Sequence, residues 1–493
     1  MRFISIIHLL YLFIAACTYV IINLMKKKKR PLPPGPGFFS TIRILFSSSQ
    51  NAHAVIAKLA NIYGPIMTIK LGGITSIVIS SPEMAKDFIQ QNTQSLSGKF
   101  ILSSLNGKIN YQDAIPWLSA IDPWIKVRKM CKSEIFSTKR LDELQVQRYQ
   151  VLDEMVKTIV DACKHGELVS IKMLVFGTKF NMVSKNLFSG DSISLRSKAM
   201  EEMKETMDGI AKFTTKPNVG DYFPFLNVFD LQGIGRNVIV YYNRLYDFLD
   251  GVIDQRKKQR EAGLSLKNGD FLDFLLHNCL PNGNNELLSL HELKLVITEL
   301  SVGGTHTITS TVEWAMVELL QNSNIMAKVK QELAEKIKVG EEVKEQNMAQ
   351  LPYLAAVIKE TMRLHTMALL LLPHRTEAET EINGYKIPKN SHLLVNSWYM
   401  SRDEKYWDEP LKFMPERFIM KSNIDFIGNQ LCFMPFGAGK RLCAGMPLAI
   451  RIIFLVLATL VHKFDWEVPE GKTPKKMIME DKYGVTLYPK LIE

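Results

Sequence analysis

Cysteine is scarce in this chain. Cys17, Cys131, Cys163, Cys279, Cys432 and Cys443 are scattered through 493 residues, and no two form a C-x-x-C pair. That spacing suggests neither a zinc site nor a disulfide framework, and it fits a reducing compartment. Acidic residues are also in deficit: 50 Asp and Glu stand against 61 Lys and Arg, a net charge of +11. The excess is spread out and no nucleic-acid motif accompanies it, so no nucleic-acid partner is expected. A membrane surface or an acidic protein explains the charge more simply. No internal repeat is present. Hydrophobic residues make up 46% of the sequence, enough to bury a large core in one big domain or two smaller ones.

From Phe3 to Met25 the sequence is almost uniformly apolar, and roughly 20 such residues span the hydrocarbon core as a helix. A cleaved signal peptide would carry its positive charge before a shorter apolar core. Here the cluster Lys26-Lys27-Lys28-Lys29-Arg30 follows the run, so residues 1–25 are expected to be a retained membrane anchor. The charge then places the chain beyond Met25 on the cytosolic side. Residues 26–37 form a basic, proline-rich hinge ending in Pro31-Leu32-Pro33-Pro34-Gly35-Pro36-Gly37, a stiff spacer rather than a partner ligand. Residues 38–493 are expected to form one catalytic domain. Within it, Ile66 to Ile79 alternates around Gly72-Gly73 as a hairpin should, and Ser81-Pro82-Glu83 starts a helix. Strand-rich patches recur near Ile382 to Val395 and Tyr483 to Leu487. Most of the remainder has helical periodicity.

The stretch that organises the chain is Phe436-Gly437-Ala438-Gly439-Lys440-Arg441-Leu442-Cys443-Ala444-Gly445, directly before the apolar run Leu448 to Val461. Its glycines permit a tight turn and the close approach of a flat ligand. Pro447 suits the first turn of a following helix. Cys443 is then either a thiolate favoured by that helix N-terminus or, like most free cysteines, a small buried hydrophobe. The full pattern Phe-x-x-Gly-x-Arg-x-Cys-x-Gly is far more specific. It resembles the cysteine loop of the cytochrome P450 superfamily, and the resemblance extends from the apolar N-terminus to Tyr483-Gly484-Val485. Asp221-Tyr222-Phe223-Pro224, Asp230-Leu231-Gln232-Gly233 and the residues after Arg441 are similar to the plant geraniol-hydroxylase-like group.

The resemblance implies a mainly α fold with small β-sheets, bearing haem b on the Cys443 thiolate. Trp124, Arg128, Arg375, Phe436, Arg441 and Gly445 are the implied cofactor contacts, the arginines on the propionates. Glu360 and Arg363, with Arg417 of Pro415-Glu416-Arg417-Phe418, match the family's buried ion triad. The oxygen-activating helix is expected from about His291 to Leu320, with Gly303-Gly304 opening a slot and permitting local distortion. Thr307 matches the threonine that assists proton delivery. The chain departs from the family at His306, where Asp or Glu is usual, and at Ile308, where Thr or Ser is usual; a histidine can relay protons near neutrality, so His306 is expected to assist Thr307 as a second catalytic residue. It departs again at Leu364-His365-Thr366-Met367, which lacks two common prolines before the expected substrate-contact strand Ala368 to Leu372. Leu300, Val302, Gly303, Ala368, Leu369, Tyr483 and Val485 are the implied pocket positions.

These features imply a monooxygenase acting on a small hydrophobic terpenoid or alkaloid. Electrons would come from NADPH through cytochrome P450 reductase, which would dock on a basic face including Lys126, Lys129 and Lys132. The expected location is the endoplasmic reticulum membrane, with one span. Two alternatives stay open: oxidative cyclisation, coupling or dehydrogenation arising from His306, and a non-catalytic haem-binding scaffold.

Overall fold

The computed structural model describes residues 32–37, 41, 52–90, 98–100, 118, 122–264, 269–279, 288–338, 340–467, 481–482 and 488–489. The expected anchor (1–25), residues 26–31 of the hinge, and the pocket candidates Tyr483 and Val485 lie outside the described residues.

The chain is mainly helical with small sheets. It opens with α1 (Ala52–Tyr63), the hairpin β1 (Ile66–Leu71) and β2 (Ile74–Ile79), α2 (Pro82–Gln90) and the short β3 (Gly98–Lys99). Next come α3 (Asp122–Glu134), α4 (Thr138–Glu143), α5 (Gln145–Lys164), α6 (Ile171–Phe188), α7 (Lys198–Thr215), α8 (Ile234–Glu261) and α9 (Phe271–Cys279). The longest helix, α10 (Leu290–Gln321), is followed by α11 (Ser323–Lys336), α12 (Pro352–Leu364), β4 (His374–Arg375), β5 (Thr380–Ile382), β6 (Tyr385–Ile387) and β7 (His392–Val395). The last long element is α13 (Met446–Lys463). The two-residue strands β8 (Asp481–Lys482) and β9 (Tyr488–Pro489) pair on either side of residues 483–487, which are not described.

α10 is the axis of the core. Its start is closed by a capping box: Glu292 N–H donates to Ser289 Oγ at 3.2 Å, and Ser289 N–H donates to Glu292 Oε2 at 2.6 Å. Leu293, Leu295, Val296, Val312, Trp314, Ala315, Met316 and Leu319 are buried on several sides of it. A helix apolar nearly all round belongs inside a protein, and α6, α7, α12 and α13 all pack on α10. α13 is long and apolar enough to cross a membrane by length and composition, yet most of it is buried in this core. Each fully buried Leu or Ile along it contributes roughly 1.5–3 kcal/mol.

The larger sheet has the order β1-β2-β7-β4-β3. β2 and β7 are parallel, with Val78 opposite Leu394, and the other pairs are antiparallel. The β3–β4 register sets Lys99 opposite His374 and Gly98 opposite Arg375. The described end of the hinge lies against this sheet, with Thr68 N–H donating to Pro34 O at 2.8 Å. A Cβ on Gly35 would stand 1.8 Å from Thr68 O, so only glycine fits there.

One expected element is corrected. Ala368 to Leu372 is not a strand but a turn, with Leu371 N–H donating to Ala368 O at 3.3 Å and Leu371 at φ 51°. Leu369 and Leu370 offer their carbonyls to Trp398 and Val395 N–H, outside any ladder. The strand begins only at His374.

Candidate active site

The cysteine loop is built as a tight return into α13. Gly437 (φ 75°) and Gly439 (φ 65°) occupy the left-handed region, and Cys443 N–H closes the turn on Phe436 O at 2.9 Å. Gly445 is the N-cap of α13 and Pro447 lies in its first turn. The Gly445 and Met446 amides hydrogen-bond the Cys443 sulfur. Cys443 has accessible surface although protein surrounds it, so that surface faces a cleft within the body. Burial pushes its thiol up, and the opposing pull of the Gly445 amide, Arg128 and the Met446 amide does not reverse this. The helix N-terminus alone therefore does not make Cys443 a thiolate; a bound metal ion, which deprotonates a coordinating thiol, would.

Around the loop, cations converge. Arg128 on α3 donates to Leu442 O at 2.5 Å, and Arg441 donates to Leu118 O at 2.9 Å. Both guanidinium groups lie on the Trp124 ring, 5.2 and 4.2 Å from its centroid. Arg375 pairs with Glu377 at 3.0 Å, while its buried Nε has no partner among the described residues. Lys99, 4% exposed, donates to Leu372 O at 3.1 Å. Burial and the neighbouring Arg128 lower Arg441 to about 10; burial and Arg441 hold Lys99 well below its ordinary value. These charges destabilise one another, and carboxylate arms placed among them would relieve the repulsion. An accessible thiol, a cationic rim and a glycine-rich loop are the donor set for a flat metal macrocycle with carboxylate substituents. The residues fit such a group.

α10 packs on α13, the helix that follows the cysteine loop. A Cβ added at Gly303 or Gly304 would meet nothing within 4 Å, so both glycines border open space. α10 runs as one α-helix through both glycines. Thr307 Oγ1 donates to Gly303 O at 3.1 Å, which keeps its lone pairs available as acceptors. Leu300, Val302 and Ala368 are half-buried and Gly303 exposed, whereas Leu369 is 4% exposed and packed away. His306 reaches towards α7, its Nε2 3.2 Å from Met207 O and 3.7 Å from Asp208 Oδ1.

Behind the loop, Glu360, Arg363 and Arg417 come together. Arg363 Nε and Nη2 donate to Glu360 at 2.7 and 2.8 Å, and Arg417 Nε donates at 3.0 Å. Met414 N–H adds a bond of 2.8 Å to Glu360 Oε1, while Arg363 Nη1 holds Ser401 O and Pro410 O at 2.7 and 2.8 Å. All three side chains are buried. Their hydrogen bonds thus tie α12 to the 401–417 segment that precedes the cysteine loop. Lys126, Lys129 and Lys132 are exposed on α3. Sequence reasoning did not single out Lys99 or Asp208. Lys99 sits in a two-residue strand paired across more than 270 positions, and Asp208 is one acid among several on an amphipathic helix, so neither carries a local signal.

A family model described as cytochrome P450 matches residues 31–493. A protein of Catharanthus roseus named cytochrome P450 76T24 is 38% identical over 474 residues, covering 96% of this chain and 94% of its own. Geraniol 8-hydroxylase of Swertia mussotii is 37% identical, with 95% and 94% covered, and ferruginol synthase of Salvia miltiorrhiza 36%, with 97% and 95% covered. A zebra fish cytochrome P450 solved with progesterone superposes at a TM-score of 0.74 with 21% identity, covering 89% of this chain and 97% of its own. That likeness concerns the fold.

Proposed function

The chain belongs to the cytochrome P450 family, in its plant geraniol-hydroxylase-like group, and is a monooxygenase; from that premise we propose that it hydroxylates a small terpenoid, with electrons passed from NADPH by a membrane-bound reductase. The observation that carries this reading is the accessible Cys443 sulfur beside a cationic rim, in a chain whose α10 also leaves open space at Gly303 and Gly304. Haem bound there would supply the iron and the oxidising chemistry.

The chain's own residues do the rest. Cys443 is the ligand, with the Gly445 and Met446 amides stabilising negative charge on its sulfur. Arg128, Arg375, Arg441 and Lys99 take the carboxylate arms, with Trp124 fixing two guanidinium planes. Glu360, Arg363 and Arg417 lock the approach to the cysteine loop. Thr307 passes a proton when its hydroxyl turns from Gly303 O. Leu300, Val302, Gly303 and Ala368 offer an apolar wall, which suits a terpene skeleton. The relatives named for geraniol and ferruginol support that class.

Residues 1–25 would anchor the chain in the endoplasmic reticulum. The turn between α7 and α8, where Phe225, Val228, Phe229 and Leu231 are 65–87% exposed, would rest on the same bilayer. Lys126, Lys129 and Lys132 would receive the acidic reductase.

The test uses full-length protein in microsomes with reductase. NADPH consumption should be matched by an oxygenated product from geraniol or a related terpene alcohol. Cys443→Ser should lose both the product and the red-shifted carbonyl band of thiolate-ligated haem, while still being expressed. If the same band persists in that variant, the ligand is another residue.

A further inference from the structure

His306 is flanked by charge from two other helices. Its Nε2 lies 3.2 Å from the Met207 carbonyl and 3.7 Å from Asp208 Oδ1, both on α7. Asp208 is in turn paired with Lys204, one helical turn earlier. Lys179 of α6, fully buried, hydrogen-bonds Thr305 Oγ1 beside it. On α10 itself Glu313 lies seven residues on, facing Asp208 and Lys204 as well as Lys172 of α6. The seam between α6, α7 and α10 therefore holds three lysines, two carboxyls and one imidazole.

The Met207 contact decides the tautomer. A carbonyl only accepts, so Nε2 must carry hydrogen for a contact of 3.2 Å to be favourable. Nδ1 is then the nitrogen whose protonation can change.

We propose that Asp208 is a positioning residue that supplies, from α7, the negative charge that position 306 itself does not carry. It holds the imidazole with Nε2–H towards α7 and leaves Nδ1 as the atom that gives and regains a proton. This rests on the monooxygenase reading above. The step balances simply: the imidazolium gives its Nδ1 proton to a water, becomes neutral while keeping Nε2–H, and regains one proton from solvent. Asp208 takes no proton in this step and keeps its ion pair with Lys204.

The surroundings agree in sign. Burial lowers His306, Asp208 and the Met207 carbonyl raise it, and Lys179 and Lys204 lower it. Removing Asp208 must therefore favour the neutral ring, and removing Lys204 must do the opposite. A role confined to packing would not give two shifts of opposite direction.

The experiment compares full-length, haem-loaded wild type with Asp208→Asn, Asp208→Glu, Lys204→Gln and His306→Gln, and with each of the first and third combined with His306→Gln. One readout is the thermal midpoint from pH 5.5 to 8. Asp208→Asn should cost more at pH 5.5, where an uncompensated imidazolium is buried, than at pH 8. That pH dependence should vanish in the His306→Gln background. The second readout is product formed per NADPH against pH. Its midpoint should fall by about half to one unit in Asp208→Asn, rise in Lys204→Gln, and return in Asp208→Glu. Above the midpoint, such a fall leaves about three- to ten-fold less imidazolium.

The proposal is overturned if the Asp208→Asn effects survive removal of His306, or if Asp208→Asn and Lys204→Gln shift the profiles in the same direction or not at all. Should Asp208→Asn not fold, Lys204→Gln and its His306→Gln combination decide the matter alone. Any of these failures would leave the Cys443→Ser result standing, so the two readings are separable.

Discussion

At the scale of single residues, the protein keeps charge inside its core and compensates it unequally. Glu360 accepts from two guanidinium groups and one main-chain amide, so removing it would leave two cations buried against carbonyl oxygens alone. Breaking a buried pair of this kind costs roughly 3–5 kcal/mol. Glu313 is compensated less well: burial raises its carboxyl to about 7, against the pull of Lys172 and Lys204 and with Asp208 adding to the rise. A carboxyl raised in the folded state holds a proton that the unfolded chain releases. Its contribution is fully present below the ordinary carboxyl value and is lost as pH rises towards 7. Glu318 is raised to about 7 as well, by burial and then by Glu360. Glu313 and Glu318 should therefore pull stability down between about pH 4.5 and 7, each with a slope of about 1.4 kcal/mol per unit, while the buried rings of His53 and His392, both lowered to about 4, pull it up between about pH 4 and 6.5. Glu313→Gln should remove one proton's share of the carboxyl pull, read as a thermal midpoint whose slope against pH becomes more positive between about pH 4.5 and 7. An unchanged slope would mean that Glu313 is ionised in the folded protein.

At the scale of elements, α10 reconciles two demands. It must be long and apolar to centre the core, yet open at Gly303 and Gly304. Glycine in a helix interior is about 1 kcal/mol less favourable than alanine, and nothing within 4 Å would obstruct a methyl group at either position. Gly303→Ala should therefore stabilise the fold by up to ~1 kcal/mol while narrowing the space beside Thr307. A higher melting temperature with lower turnover of the bulkiest accepted terpenoid is the expected pair of results. A higher melting temperature with full turnover would show that Gly303 does not border substrate.

At the scale of the whole molecule, the proposed membrane contact would decide how the enzyme is presented. The Gly72-Gly73 turn of the β1–β2 hairpin is bonded to the region after α7, with Gly73 N–H donating to Tyr222 O at 3.0 Å. The exposed Phe225, Val228 and Phe229 are thereby braced against a sheet, suiting them to rest on a bilayer. Deleting residues 1–25 should leave a body that still takes up haem and still floats partly with vesicles. Additional polar substitutions at Phe225, Val228 and Phe229 should release it. Retention of the doubly altered protein on vesicles would place the second contact elsewhere.

Much of this was legible in the sequence because it is written locally. The cysteine loop needs its glycines at fixed positions, the helix start Ser81-Pro82-Glu83 is three residues long, and the hairpin alternates with period two; each is specified by near neighbours in the chain. The α12 pair Glu360 and Arg363 is equally local, one helical turn apart. What the tertiary structure alone decided is long-range. Lys99 joins the cationic rim because β3 pairs with β4, and Asp208 meets His306 because α7 crosses α10. Ala368 to Leu372 is apolar enough for a strand, but its carbonyls are taken by Val395 and Trp398 N–H outside any ladder. The thiol of Cys443 obeys the same division. Its place before a helix could be read from Gly445 and Pro447, but its protonation depends on burial by distant segments, which outweighs two nearby amides. Local chemistry determined which groups the chain could offer, and packing decided which of them met and in what charge state.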